Sequence, residues 1–271
     1  MSSSESITEP VSERRHREDI VRVGRMMYER GWIAGSDGNL SVRLDARHIL
    51  ATPTAMCKGR MSPDDLIVCD NQGNKISGAR ERTTEMAMHV AVYQERADVN
   101  AVVHAHPPIT TGFAVVGKPL NKGIMPELIV ALGSVPLAGY GLPGTPALVE
   151  GMQPFLGKFD ALLLANHGAV AYGADIEAAF ARMETIEHLA RITLVAELLG
   201  GPKALPRAEV EKLFEARERY GVKTPNHFEY GNPLTAEDLP ENSPDRGDKL
   251  EVTRQQLLAL IDEALRVRGA M

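Results

Sequence analysis

The stretch Val102-Val103-His104-Ala105-His106-Pro107 decides how the rest of the chain is read. An apolar run ends in two histidines spaced i and i+2. On a strand those positions share a face, so both imidazoles point toward one place. A second apolar run, Ala161 to Ala165, ends in Asn166-His167-Gly168 and offers a third histidine. Three neutral imidazoles with one open coordination position describe a catalytic zinc rather than a structural one. Alone, the His-x-His pair reads equally well as two partly buried histidines closing a strand. The third histidine, also at the end of an apolar run, tilts the reading toward metal.

Outward from this centre, strands and helices alternate. Ser12 caps an expected helix from about Glu13 to Arg30, with Ile20, Val23 and Met27 as its apolar stripe and Gly31 at the C′ position. Gly35-Ser36-Asp37-Gly38-Asn39 is a turn into a strand, Leu40 to Arg43. Further strands are expected at His48–Ala51, Leu66–Cys69 and Lys75–Ile76. Thr83 or Thr84 is expected to cap a helix running to about Arg96. Leu128–Leu132 and Ser134–Ala138 are short apolar runs, and Pro146–Phe155 reads as a helix. Leu162–Ala165 and Ala169–Tyr172 flank the Asn-His-Gly turn like a hairpin. Asp175–Leu199 is the longest helix, stopped by Gly200-Gly201-Pro202. This interleaving predicts an α/β domain over residues 13–201. Residues 1–12 read as a disordered tail. Residues 202–271 form an extension, with a charged helix at Ala208–Tyr220, a Pro- and Asn-rich arm at Asn226–Asp248 and an amphipathic helix at Val252–Val267.

Composition narrows the class. The chain has 271 residues, 44% of them hydrophobic, enough for a sizeable core. No apolar run approaches the ~20 residues of a membrane span, and Met1–Pro10 has no apolar segment of the secretory type. Two cysteines, Cys57 and Cys69, fit a reducing compartment, so a cytoplasmic location is expected. A net charge of -6 without a basic, aromatic-rich cluster argues against nucleic acid as partner.

Several other residues carry chemical potential. Glu85, early in its helix, reads either as a helix-dipole carboxylate or as a general base and displaceable fourth ligand. His89, four residues on, reads as a packing histidine. Three segments suit an oxyanion: Gly38-Asn39-Leu40-Ser41, Thr52-Pro53-Thr54-Ala55, and Thr83-Thr84 at a helix start with its free N–H groups. None matches a P-loop or a dinucleotide fingerprint. Lys58, Arg60, Arg80 and Arg82 read as solvated surface charge. His16, His48, His188 and His227 take surface or structural readings, and Glu184 with His188 reads as an ordinary i,i+4 pair.

The order Gly38-Asn39-Leu40-Ser41, Thr52-Pro53-Thr54, Thr84-Glu85 with His89, His104-Ala105-His106-Pro107 and Asn166-His167-Gly168 resembles the class II aldolase/adducin family, most of all its L-fuculose-phosphate aldolase branch. The resemblance covers about Glu13 to Gly200. It implies a three-layer α/β/α sandwich with a central, mostly antiparallel sheet, assembled as a homotetramer with sites at subunit interfaces. It implies Zn2+, or another divalent transition metal, on His104, His106 and His167, with Glu85 as the resting fourth ligand and then the base. The substrate's phosphate would lie on Asn39, Thr52, Thr54, Thr83 and Thr84. The implied reaction is cleavage of a ketose 1-phosphate to dihydroxyacetone phosphate and a short aldehyde. Alternatives are a decarboxylase, dehydratase or epimerase acting on a related sugar phosphate, or a non-catalytic scaffold like adducin; the intact histidines count against the scaffold.

Three departures from the aldolase pattern stand out. Ala55 occupies a position where the pattern has Gly, and alanine there is strained if φ is positive. Thr83-Thr84 replaces a Ser-Ser pair. Met125-Pro126-Glu127 lacks the tyrosine that serves as acid, leaving Glu127, Tyr140 or a tyrosine of the extension (Tyr220 or Tyr230) as substitutes.

Overall fold

A computed structural model describes residues 12–220 and 222. The expected arm at 226–248, the helix at 252–267, His227, Tyr230 and the first eleven residues lie outside the described residues.

One eight-stranded sheet organises the chain. Its strands are β1 (Asn39–Arg43), β2 (His48–Ala51), β3 (Ile67–Asp70), β4 (Lys75–Ser77), β5 (Ala101–Ala105), β6 (Leu137–Ala138), β7 (Ala161–Leu164) and β8 (Gly168–Gly173), in the order β4-β3-β2-β1-β5-β8-β7-β6. Every pairing is antiparallel except β6 with β7. The helices are α1 (Glu13–Glu29), α2 (Met86–Glu95), α3 (Pro108–Val115), α4 (Pro126–Ala131), α5 (Pro146–Leu156), α6 (Ile176–Leu198) and α7 (Arg207–Ala216).

Strand alternation divides the interior into two layers. Leu40 and Val42 of β1, Ala101, Val103 and Ala105 of β5, and Ala169 and Ala171 of β8 pack with Ile20, Val23 and Met27 of α1 and Phe180, Met183 and Ile186 of α6. Val102 of β5, Leu162 and Leu164 of β7, and Val170 and Tyr172 of β8 turn the other way. They meet Met88 and Val92 of α2 and Leu148 and Met152 of α5. A sheet covered by helices on both faces is an α/β/α sandwich.

The local signals that start and stop the helices are those of the sequence. The Ser12 hydroxyl accepts from the Arg15 N–H at the start of α1, and Gly31 ends that helix at φ 69°. Asp175 caps α6 by accepting from the Ala178 N–H, and Gly200 and Gly201 follow it at φ 110° and 100°. Two readings need correction. Glu85, not a threonine, occupies the N-cap position of α2, because Thr83 closes a turn of its own: its carbonyl accepts from the Met86 N–H and its hydroxyl from the Glu85 N–H. Residues 108–115 form a helix that no element was assigned to. Glu187 of α6 anchors its first turn by accepting from the Thr110 N–H and hydroxyl. Leu128 and Leu132 turn out to belong to α4 and its C-cap, against which Val210 of α7 packs.

Ala55 has φ 53°, in the left-handed region. An L-residue pays about 1–2 kcal/mol there, while glycine would add about 0.4–1 kcal/mol of unfolded-chain entropy. Ala55→Gly is therefore expected to raise stability by about 0.5–1 kcal/mol, seen as a higher urea midpoint at unchanged m-value.

Candidate metal centre

β5 lies in the middle of the sheet, paired with β1 on one side and β8 on the other. Its residues 102 and 104 face the α2 layer, so His104 enters that layer fully buried. Its Nδ1 donates to the Ala169 carbonyl of β8 at 2.9 Å. This fixes the tautomer and leaves Nε2 bare toward the centre. His106 lies just past the strand end, its backbone N–H donating to the Trp32 carbonyl at 2.9 Å. His106 Nε2 approaches His104 Nε2 to 3.2 Å. Asp37 Oδ2 stands 3.6 Å from His106 Nδ1.

His167 arrives from the β7–β8 turn. Asn166 bends the chain at φ 54°, a conformation asparagine tolerates better than most residues. Gly168 then passes so close that a Cβ would lie 2.5 Å from His106 Cδ2 and 2.6 Å from the Ala105 carbonyl oxygen. The ligating nitrogens of His104, His106 and His167 all fall within 4.8 Å of one another.

Glu85 closes the group. Its Oε1 is 3.2 Å from His167 Nε2, and its Oε2 is 3.4 Å from His104 Nε2. The Asn39 amide donates to Oε2 at 2.7 Å, while Oε1 is buried with no hydrogen-bond partner. Asn39 pairs with His104 across β1 and β5, which explains how a strand residue reaches a carboxylate at a helix start.

Burial holds His104 well below its ordinary value, and the neighbouring His167 and His106 would oppose its charge further. Burial likewise lowers His167, with Glu85 acting the other way. Neutral imidazoles turning bare nitrogens on one another repel. A cation between them removes that conflict. Zinc–imidazole bonds of ~2.0–2.1 Å at tetrahedral angles put ligand nitrogens about 3.3 Å apart, which the 3.2 Å between His104 and His106 matches. The donor set therefore fits a divalent transition ion.

The oxyanion segments also converge. A bridge between Pro53 and Arg82 brings the Thr52–Ala55 turn beside Thr83-Thr84, and the Thr54 N–H donates to the Glu81 carbonyl. Thr52 Oγ1 accepts from the Leu40 N–H at 3.1 Å, so it ties this turn to β1. Thr84 is exposed and Thr54 half-buried. The proposed substitutes for the missing acid, Glu127 and Tyr140, are both exposed.

Two residues of this region were missed. Lys58 was read as surface charge, yet it is 2% exposed. α1 packs over it at Gly24, whose Cβ would meet the Lys58 carbonyl at 2.8 Å. Its ammonium donates to the Ser36 carbonyl, burial lowers its pKa, and its charge opposes protonation of His104. Only the long-range packing of α1 reveals this. Asp37 was read merely as a turn residue; its spacing two before Asn39 was the available signal.

A family model described as the Class II Aldolase and Adducin N-terminal domain matches residues 18–194. A 3-oxo-tetronate 4-phosphate decarboxylase of Pectobacterium atrosepticum is 32% identical over 188 residues, 68% of this chain and 86% of that protein. A 5-deoxy-D-ribulose 1-phosphate aldolase of Bacillus thuringiensis serovar kurstaki is 35% identical over 211 residues, 76% and 97% of the two chains. A solved L-fuculose 1-phosphate aldolase superposes with a TM-score of 0.71 at 29% identity, covering 78% of this chain and all of that one.

Gly168→Ala is expected to push the His106 ring aside and weaken zinc binding at least ~10-fold, measured by competition with a chromogenic chelator. The buried histidines also set a pH dependence. His89 is lowered from 6.5 to about 3 by burial, and His104 is lowered as well. Each stays neutral when folded and takes up a proton on unfolding below pH 6.5. Stability of the metal-free protein is thus complete above that pH and is lost as the pH falls. The slope is about 1.4 kcal/mol per pH unit for each such histidine. Urea melts of chelator-treated protein between pH 6.5 and 4.5 should show this loss, and His89→Gln should reduce it.

Proposed function

The chain belongs to the class II aldolase and adducin family, and from that premise we propose that it is a zinc-dependent aldolase cleaving a ketose 1-phosphate to dihydroxyacetone phosphate and a short aldehyde. Members of this family matched here are lyases, and this chain is an enzyme of that kind. One observation carries the finer reading: three imidazoles converge within 4.8 Å, with the free oxygen of Glu85 at their edge.

His104, His106 and His167 would hold the metal, with Glu85 as a fourth, displaceable ligand. A bound divalent ion supplies Lewis acidity, polarising the substrate's carbonyl and steadying the negative charge that carbon–carbon cleavage leaves behind. The protein's own part is positioning and proton transfer. The backbone N–H of Ala55 in the Thr52–Ala55 turn, with the side chains of Thr52, Thr54, Thr83 and Thr84 and the second N–H of Asn39, would hold the phosphate. Glu85 would take the proton of the hydroxyl next to the breaking bond and return it to the carbon left with the electron pair. The assembly would be a homotetramer in the cytoplasm. No helix among the described residues is long and apolar enough to cross a membrane.

A second reading, decarboxylation of a 3-oxo acid phosphate, is favoured by two observations. The decarboxylase of Pectobacterium atrosepticum is about as similar as the aldolase relative, and Met125-Pro126-Glu127 carries no tyrosine.

Exchange of the C3 proton of dihydroxyacetone phosphate with solvent deuterium, followed by NMR, separates the two. The aldolase reading expects exchange in zinc-loaded protein, its loss with chelator, and a fall of at least ~100-fold in His106→Ala together with loss of bound zinc. Zinc-loaded protein that does not exchange, but releases carbon dioxide from a 3-oxo-tetronate 4-phosphate, would establish the second reading instead.

A further inference from the structure

β1 and α2 meet along a polar seam inside an otherwise apolar layer. Asn39, Ser41 and Arg43 take alternate positions on the strand, while Glu85, His89 and Tyr93 recur every four residues along the helix. The contacts step along both elements. Asn39 Nδ2 meets Glu85 Oε2 at 2.7 Å, and His89 Nε2 meets Asn39 Oδ1 at 2.5 Å. Ser41 Oγ meets His89 Nδ1 at 2.7 Å and the Tyr93 hydroxyl at 2.8 Å. Arg43 closes the row by donating to the Tyr93 carbonyl, its guanidinium 4.9 Å from the Tyr93 ring centre. His89 and Ser41 are fully buried.

The direction of every bond follows from the carboxylate. Glu85 can only accept, so Asn39 offers it an N–H and turns its carbonyl to His89. That carbonyl can only accept, so the hydrogen of His89 sits on Nε2. His89 is neutral in its buried place, and its bare Nδ1 then accepts from the Ser41 hydroxyl. Ser41 in turn accepts from Tyr93. No member can reverse without breaking the one before it.

We infer that His89, Ser41 and Tyr93 are positioning residues for Glu85: their one-way chain locks the Asn39 amide, which anchors Oε2 and leaves Oε1, 3.2 Å from His167 Nε2, as the oxygen that handles the proton. The catalytic part of this inference rests on the reading of Glu85 as the base; the locked amide does not.

Two experiments on the full-length, zinc-loaded protein keep those apart. Long-range 1H–15N NMR should show His89 as the Nε2–H tautomer and the Asn39 side-chain NH2 slow to exchange with water. His89→Leu should make that NH2 exchange at least ~10-fold faster. His89→Gln, which restores an N–H donor, should protect it again. An Nδ1–H tautomer, or an Asn39 NH2 indifferent to His89→Leu, would overturn the chain whatever the substrate is. For kinetics, zinc content is matched to wild type. His89→Leu should then lower the rate of deuterium exchange ~10- to 100-fold, with a smaller rise in KM for dihydroxyacetone phosphate because Asn39 also faces the phosphate, and His89→Gln should recover most of the rate. An unchanged rate, or a loss confined to KM, would overturn the positioning role. Wild-type protein that exchanges nothing would instead refute the aldolase reading, and the same kinetic comparison would then be made on carbon dioxide release.

Discussion

The centre of this protein depends on a coincidence of two repeats. Two residues of a strand advance ~6.6 Å and four residues of a helix ~6.0 Å. A strand and a helix lying side by side therefore stay in step for about three contacts. Asn39, Ser41 and Arg43 keep step with Glu85, His89 and Tyr93 over that distance. Polar groups placed between two apolar layers are costly unless each finds a partner, and here Asn39, Ser41, His89 and Tyr93 all find one. At one end of the row Arg43 Nε is buried without a partner; at the other the unserved atom is an oxygen, Oε1 of Glu85, and it faces the histidines.

The electrostatics of the histidine cluster follow from the same burial. His104 sits at the end of the central strand with no exposed surface, so its charged form is disfavoured before any neighbour acts. His106, His167 and Lys58 each oppose its charge further. His104 is thus kept neutral, the form in which imidazole binds metal. Glu85 and Asp37 supply negative charge at its rim. A site that refuses protons yet gathers negative charge is suited to a small divalent cation.

Much of this was legible in the chain, for physical reasons. The two-residue period of β5 announces that His104 and His106 point alike, and the Asn-His-Gly turn at the end of a second apolar run offers the third imidazole. Capping residues mark the ends of α1 and α6 because their signals are local. What escaped depends on distant packing. Lys58 looks like surface charge until α1 covers it. His89 was assigned to packing because a helix alone does not reveal that Asn39 and Ser41 lie opposite it. α3 escaped because Thr110, Thr111 and Val115 are poor helix formers, and Glu187, 77 residues later, anchors its start.

The two candidate reactions ask different things of these groups. Both break a carbon–carbon bond beside a carbonyl and leave its electron pair on the same kind of carbon. In aldol cleavage the hydroxyl on the departing carbon loses its proton, and the carbon left behind gains one. In decarboxylation nothing is deprotonated: carbon dioxide leaves, and only the final protonation needs a donor. A single carboxylate with one anchored and one free oxygen can serve either course, either by handing back the proton it took or by delivering one drawn from water. Discrimination between the reactions is therefore expected at the far end of the pocket, where the departing group is recognised. The Glu85–Asn39–His89 arrangement is common to both.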